Sequence, residues 1–521
     1  MNVPLSVGDF LARAEEQYGE RVGVIDEPDQ PAKALNTLSY GEIGQLARAQ
    51  AAGLDELGVS FGERVAIVSQ NCARLLASFF GVSGNGRILV PINFRLTAEE
   101  VAYIVEQLGS RVLLVDPELE RSLNAVHCEH KFTLGESSDV ALYKFGVEPT
   151  VWEPNEWATA TINYTSGTTA RPKGVKITHR NIWTNAMTFA LHVGMSDRDV
   201  YLHTLPMFHA NGWGMPFAVT GLGAKHVVLR KVDGREILNR VAGHGVTIMC
   251  ASPTVVNMIL NAAAEWGGAI PGLNRVRIIV AGVPPPTKTI ANVETVLGWE
   301  FIQIYGLTET SPLLTISRSR SEWDHLSADE WAIMLDRAGG AALGTKIRIS
   351  TNGEVLAKSN AVMDGYWDQP EATNSVIDDG WFRTGDGGTL DQEGYLTISD
   401  RLKDVIISGS ENVTSIEVED VLFSHPAVSE AAVIGVPHEK WGETVKAFVV
   451  LAPGAEVSEE DLVSYCREHL AGFKTPTTIE IRDELARTAT GKLQKFKLRQ
   501  DYWVGKERPT NSNRGPLSHG G

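Results

Sequence analysis

The chain has 521 residues and a formal net charge of −17, with 43% hydrophobic and 21% charged residues. That length exceeds what one core fills, so two or more domains are expected, and so acidic a chain lacks the basic footprint that nucleic-acid binding needs. Four widely spaced cysteines, Cys72, Cys128, Cys250 and Cys466, form no CxxC pair, which argues against a zinc cage or disulfide framework and fits a reducing, cytoplasmic setting. In chain order, Met1 to Glu20 has acidic residues early and no basic stretch ahead of an apolar core, so no secretory signal is expected. The longest apolar runs, such as Leu75 to Val82, are far too short for a transmembrane segment.

From Val65 onward short apolar runs (Val65 to Val68, Ile88 to Ile92, Val112 to Val115) alternate with helix-like segments, Ala73 to Val82 and Thr97 to Gln107. This rhythm predicts an α/β sheet with crossover helices. It continues through Lys225 to Leu229, Ile248 to Ala251, Val276 to Ala281 and Phe301 to Ile304. After Asp386 the texture turns to hairpin material, Gly388 to Ser399, with the turn pair Glu393-Gly394 before Tyr395. A charged break, Asp400 to Asp404, precedes a smaller α+β unit with strands near Ala431 to Gly435 and Val445 to Leu451. The fold class expected is α/β, a large multi-sheet N-terminal domain (1–402) with a smaller mobile α+β C-terminal domain (403–506). The polar tail 507–521 is expected to be disordered.

Four segments carry candidate chemistry. Tyr164 to Val175 reads Tyr-Thr-Ser-Gly-Thr-Thr-Ala-Arg-Pro-Lys-Gly-Val after a strand-like approach, Ala158 to Tyr164. Ser166, Thr168 and Thr169 offer hydroxyl donors, Gly167 and Gly174 unusual backbone angles, and Arg171 and Lys173 positive charge, a set that suits a polyphosphate. It is equally the composition of a surface turn. It is no Walker A loop, because Gly174 and Val175 follow Lys173. Tyr305-Gly306-Leu307-Thr308-Glu309-Thr310 follows a strand, where α/β sheets bind ligands. There Tyr305 can stack on a base, and Glu309 is either a Mg²⁺ ligand or a helix first-turn acid. Trp381 to Asp386 ends in a carboxylate suited to ribose hydroxyls, with Arg401 to assist, or to capping a turn. In Arg487 to Leu493, Lys492 can meet developing negative charge or simply face solvent.

Taken together, in this order and over nearly the whole chain, these motifs resemble the adenylate-forming superfamily of acyl-CoA synthetases, luciferases and nonribosomal adenylation domains. Gly62 to Ala66, Gly365-Tyr366-Trp367, Gly435 to His438 and Trp441-Gly442-Glu443 extend the match. The resemblance implies a phosphate loop at Thr165, Ser166, Gly167, Thr168, Thr169 and Lys173, and adenine stacking at Tyr305. It implies phosphate and Mg²⁺ contacts at Gly306, Thr308 and Glu309, and ribose contacts at Asp386 and Arg401. Lys403 falls at the family hinge, Lys492 at its adenylation lysine, and Ser408, Gly409 and Glu411 at its CoA loop. The chain departs from the pattern at Ala170, Ser410 and Ala486, where glycine, glycine and proline are usual.

Leu205 to Gly214 occupies the family's acyl-pocket motif and resembles the Phe-His-x-Asn-x-Trp form of medium- and long-chain fatty acyl-CoA synthetases. It places His209 and Trp213 at the pocket, with Gly282, Val283 and the prolines after them as another wall. His209 is either a site residue or a core histidine, and Trp213 either a gate or core. No acid occurs between His203 and Gly223, so a substrate ammonium would lack a partner. The resemblance therefore implies a fatty acid, ATP, Mg²⁺ and coenzyme A, and a two-step ligase reaction. Its rivals are an aryl acid such as benzoate, a carrier-protein thiol as acceptor, and a non-catalytic binding protein on this fold. Small-molecule substrates rather than nucleic acid are the expected partners, and a homodimer is compatible with the sequence.

Overall fold

A computed structural model describes residues 3–165, 172–282, 285–402, 404–408, 411–487 and 493–504. Among them a seven-stranded sheet runs in the spatial order Gly365–Tyr366, Lys173–Thr178, Thr159–Thr165, Ile88–Ile92, Arg64–Val68, Val112–Val115, His130–Thr133. Its last five strands are parallel. Both faces are covered at Ile88–Ile92 and Val112–Val115, so these two strands read as unbroken apolar runs. Val65, Ile67, Val112 and Leu114 face one buried cluster, while Ala66, Val68, Leu113 and Val115 face another.

The second sheet has fourteen strands. Val200–His203, Lys225–Val228, Ile248–Ala251, Arg277–Val280 and Glu300–Gly306 form its parallel block, as the alternation predicts. An antiparallel half continues from Leu313–Ser317 through Gly339–Ala341 to the hairpin of Trp381–Leu390 and Tyr395–Arg401. That hairpin starts earlier than the sequence suggests. Asp386 lies inside its first strand, opposite Arg401, so a turn-capping role is ruled out.

Helices His179–Val193 and Met215–Leu222 lie between the two sheets. In the first, Ile182, Ala186 and Ala190 recur every four residues and pack toward the seven-stranded sheet, while Phe189 and Val193 pack against the larger one. Its start is fixed by a capping box between Thr178 and Asn181, and it stops at Gly194, φ 64°.

The small C-terminal domain has its own five-stranded sheet and its own core around Val433, Val445, Ala447 and Leu462. Val428–His438 and Gly442–Leu451 form its long hairpin, with helices Ser415–Ser424 and Glu459–His469 against it. No helix among the described residues is long and apolar enough to cross a membrane.

Candidate active site

The hairpin that carries the candidate phosphate loop opens between two paired residues, Thr165 and Lys173. Ser166, Gly167, Thr168, Thr169 and Arg171 lie outside the described residues, as do Val283, Lys403, Gly409 and Lys492. Gly174 differs from expectation. It sits in a regular strand without positive φ, and a Cβ there would meet Ile162 Cγ2 at 3.0 Å and the Tyr164 ring at 3.2 Å. Close approach, not an unusual backbone angle, requires the glycine.

Lys173 Nζ lies 4.9 Å from the centre of the Tyr366 ring. Tyr366, on a short strand paired to Val175, donates its hydroxyl to Glu309 Oε1 at 3.0 Å. One tyrosine thus joins the cation of the seven-stranded sheet to the acid of the other. Burial, and then the Glu309 charge, push the Tyr366 phenol far up, so it stays a donor. Tyr366 was no individual candidate in the sequence, although the Gly-Tyr-Trp triplet contributed to the resemblance. Glu309 sits in the short turn Thr308–Thr310, which lies against strand Lys173–Thr178. It is therefore not the first-turn acid of a longer helix.

On the other side, Tyr305 donates its hydroxyl to Asp386 Oδ2 at 2.7 Å, and Arg401 Nε lies 2.7 Å from Oδ1 of the same carboxylate. Burial and the Asp386 charge hold the Tyr305 phenol protonated. Its ring also packs near Ala338, Val355 and Leu396, so part of the aromatic surface expected to meet a base is in contact with protein. Gly306 follows, and a Cβ there would collide with the Pro312 carbonyl oxygen. The charge of Glu309 acts on the Arg401 guanidinium, so the triads Asp386–Tyr305–Arg401 and Glu309–Tyr366–Lys173 form one polar cluster between the two sheets.

The acyl-pocket motif is attached to the same hairpin. Asn163 Nδ2 donates to the Phe208 carbonyl at 3.0 Å and to Asn211 Oδ1 at 3.2 Å. Asn211 Nδ2 donates to Thr161 Oγ1 at 2.8 Å, and Thr161 Oγ1 donates to Asn163 Oδ1 at 3.1 Å. Thr161 and Asn163 lie on the strand that runs into the candidate phosphate loop, and no local pattern in the chain points to this lock. It holds a left-handed turn in which Ala210, Asn211, Gly212 and Trp213 have φ of 35, 47, 54 and 53°. Three of these are not glycine, and such a conformation is unfavourable for L-residues.

Trp213 is 5% exposed among Phe189, Met215, Ile304 and Leu313, so in this structure it is core rather than an open gate. His209 is half-buried, and its backbone N–H bonds the Pro206 carbonyl at 3.1 Å. Gly282 has φ 106° and open space where a Cβ would stand. Ser408 pairs with Glu411 on the small domain, and Glu411 is exposed. No described contact joins these two to the polar cluster.

A nucleotide-dependent acyl-activating ligase is the class that this two-domain fold and this cluster define. Residues 11–367 match the family model of the AMP-binding enzyme, and residues 417–492 match the AMP-binding enzyme C-terminal domain. The chain belongs to the AMP-binding enzyme family, within the adenylate-forming superfamily. It is 36% identical over 539 residues to a 2-methylpropanoate–CoA ligase of Humulus lupulus, with 95% of each protein covered. Its fold is similar to that of the o-succinylbenzoate CoA synthetase of Bacillus subtilis in complex with the acyl-adenylate intermediate. There the TM-score is 0.82 and the identity 30%, covering 98% of this chain and 99% of that one. A Mycobacterium tuberculosis fatty acyl CoA synthetase gives a TM-score of 0.73 at 31% identity, covering 96% and 99%.

The protein is thus an AMP-forming acyl- or aryl-CoA ligase that uses ATP, Mg²⁺ and coenzyme A. The residues fit the metal in a particular way. No group of three or more His, Cys, Asp or Glu side chains gathers among the described residues. Glu309 lies against the hairpin that carries the candidate phosphate loop, which suits Mg²⁺ held by one carboxylate and completed by substrate phosphates and water.

Proposed function

We propose that the protein activates an aliphatic carboxylic acid of medium or long chain and transfers it to coenzyme A. The supporting observation is the attachment of Phe208 to Asn211 to the strand that leads into the candidate phosphate loop, which fits an acyl motif working next to a bound nucleotide. No Asp or Glu occurs between His203 and Gly223, the stretch that carries Trp213, which favours an apolar tail over an amino acid. An aryl acid remains the second reading, favoured by the likeness to the o-succinylbenzoate enzyme.

In the first step a substrate carboxylate oxygen attacks the α-phosphorus of ATP in line. The bond to the bridging oxygen breaks, and pyrophosphate leaves with the electron pair. Lys173, the phosphate loop and Lys492 neutralise spreading negative charge, Asp386 and Arg401 hold the ribose, and Tyr305 flanks the adenine. Glu309 would hold Mg²⁺, which would supply further charge neutralisation. In the second step the CoA thiolate attacks the acyl carbon and AMP departs, the thiol proton passing to solvent or to His209. The domain boundary belongs at 402/403, with Lys403 as hinge and 507–521 as a tail, and the small domain turns about Lys403 between steps. Trp441 is 41% exposed and stacks with His438 at 4.4 Å, with Lys440 alongside; this suits the adenine of CoA, which a carrier-protein phosphopantetheine arm lacks. A cytoplasmic location is part of the proposal, supported by four free thiols.

The test is AMP release with short, medium, long-chain and aromatic acids in the presence of CoA. Medium- or long-chain acids should give the highest kcat/KM, and a preference for benzoate-like acids would favour the aryl reading. Lys492→Ala should slow ATP–pyrophosphate exchange by roughly 100-fold while sparing thioester formation from supplied acyl-AMP. Equal loss of both half-reactions would argue against the role given to Lys492.

A further inference from the structure

Outside the polar cluster, a group of buried ionic side chains lies where the small domain meets the large sheet. Asp400 and Arg401 are consecutive in one strand, so their side chains leave on opposite faces. Arg401 reaches Asp386, while Asp400 turns to the small domain. Asp400 Oδ2 accepts the Ser415 backbone N–H at 3.0 Å and the Ser415 hydroxyl at 2.5 Å. The Ser415 hydroxyl in turn accepts a bond from Lys495 Nζ, which pairs with Glu419 Oε1 at 2.7 Å. Glu419 Oε1 also accepts the Val433 N–H at 2.7 Å, and Arg499 pairs with Asp404.

These groups are withdrawn from water. Asp400 is 5% exposed and Ser415 is fully buried, while the Lys495 and Glu419 side chains are 14% and 13% exposed. The first residues of helix Ser415–Ser424 need hydrogen-bond acceptors, yet its own N-cap residue, Thr414, makes no side-chain cap bond. A carboxylate from the other domain supplies the cap, where the helix dipole favours negative charge. Lys495 stands three positions after Lys492 in the chain. One end of this chain of contacts is thus the neighbour of a nucleotide-cluster residue, and the other follows the adenylation lysine.

We propose that Asp400, Ser415 and Lys495 form a joint that seats the small domain on the strand carrying Arg401, which makes Asp400 and Lys495 positioning residues for the ligase reaction. The inference rests on the two-step reading above. Removing the Asp400 charge weakens the cap and takes away one of the acids around Lys495, leaving it with Glu419 and the charge of Asp404, so the domain is held less firmly in this orientation.

The test uses the full chain with Asp400→Asn, Lys495→Met and the double variant. ATP–pyrophosphate exchange and thioester formation from supplied acyl-AMP are measured separately. Each single variant should change the ratio of the two rates by about fivefold or more, and the double variant should add little, as expected of one coupled unit. Spin labels at Leu191→Cys and Glu468→Cys, in a Cys128→Ser background, should show a broadened interdomain distance distribution. If Asp400→Asn fails to fold, Ser415→Ala, which removes only the hydroxyl link, takes its place. A lowered Tm with an unchanged rate ratio and distance distribution would overturn the inference, as would additive effects in the double variant. Absence of carboxylate-dependent exchange in the unaltered protein would instead overturn the functional reading, and the label distances would then decide the joint alone.

Discussion

Asp386 is the residue on which one half of the polar cluster between the sheets turns. It accepts from Tyr305 through one oxygen and pairs with Arg401 through the other, at 2.7 Å each, while only 5% exposed. Bonds to a charged acceptor contribute about 1.5–3 kcal/mol, against about 1 kcal/mol for a neutral one. Asp386→Asn keeps the shape but loses the charge, so the KM for ATP should rise roughly 10- to 100-fold. Tyr305→Phe should raise it only severalfold. Both are read in ATP–pyrophosphate exchange, and a normal KM with a lowered Tm would reduce Asp386 to a structural anchor. On the small domain, Trp441→Ala should raise the KM for CoA about fivefold or more and leave pyrophosphate exchange unchanged, in line with the worth of one stacked base. A change in exchange instead would place Trp441 outside CoA recognition.

Strand Thr159–Thr165 does more than lead into a loop. Through Thr161 and Asn163 it holds the left-handed turn at Ala210 to Trp213, so the proposed acyl motif and the proposed phosphate loop share one support. Thr161→Val keeps the volume but deprives Asn211 Nδ2 of its acceptor and Asn163 of a donor, which costs about 2 kcal/mol in a buried site. Stability should fall by that amount in denaturant unfolding, and kcat/KM for the acid should fall more than the KM for ATP rises. An unaffected acid kcat/KM would uncouple the turn from the pocket. This lock was not legible in the sequence, because Thr161 and Asn211 are 50 positions apart and only the fold shows that they touch. The same holds for Tyr366 and Glu309. What was legible is what local patterning dictates. Ile88–Ile92 and Val112–Val115 end where their apolar runs end, since both faces of the sheet are buried. Thr345–Ile349 alternates between half-buried and exposed positions, and Gly339–Ala341 has no strand composition, so the antiparallel half of the large sheet left little trace. The motif residues were legible as chemistry, but their partners were not.

Across the whole molecule the two domains also meet through like charges. Asp336 ends helix Ala328–Asp336 of the large domain, and Asp420 lies on helix Ser415–Ser424 of the small one. Burial, and then the Asp420 charge, push the Asp336 carboxyl up to about 6 from its usual 3.8. Burial also raises Asp420, although a bond from the Thr287 backbone N–H works against it. The folded protein therefore holds a proton at Asp336 that the unfolded chain has already released between about pH 4 and 6. Stability from this group is complete below the lower value and is lost as pH rises through the upper one. At neutral pH the acid is charged, poorly solvated and facing another acid, in a chain that already carries a formal net charge of −17. Asp336→Asn, uncharged at every pH, should then be more stable than the parent above pH 7, by up to about 2 kcal/mol, with the advantage vanishing below pH 4. Thermal unfolding followed across that range in the two proteins reads this directly. An advantage of the same size at pH 5 and pH 8 would mean that the substitution improves packing and that the acid pair does not oppose the docking of the domains.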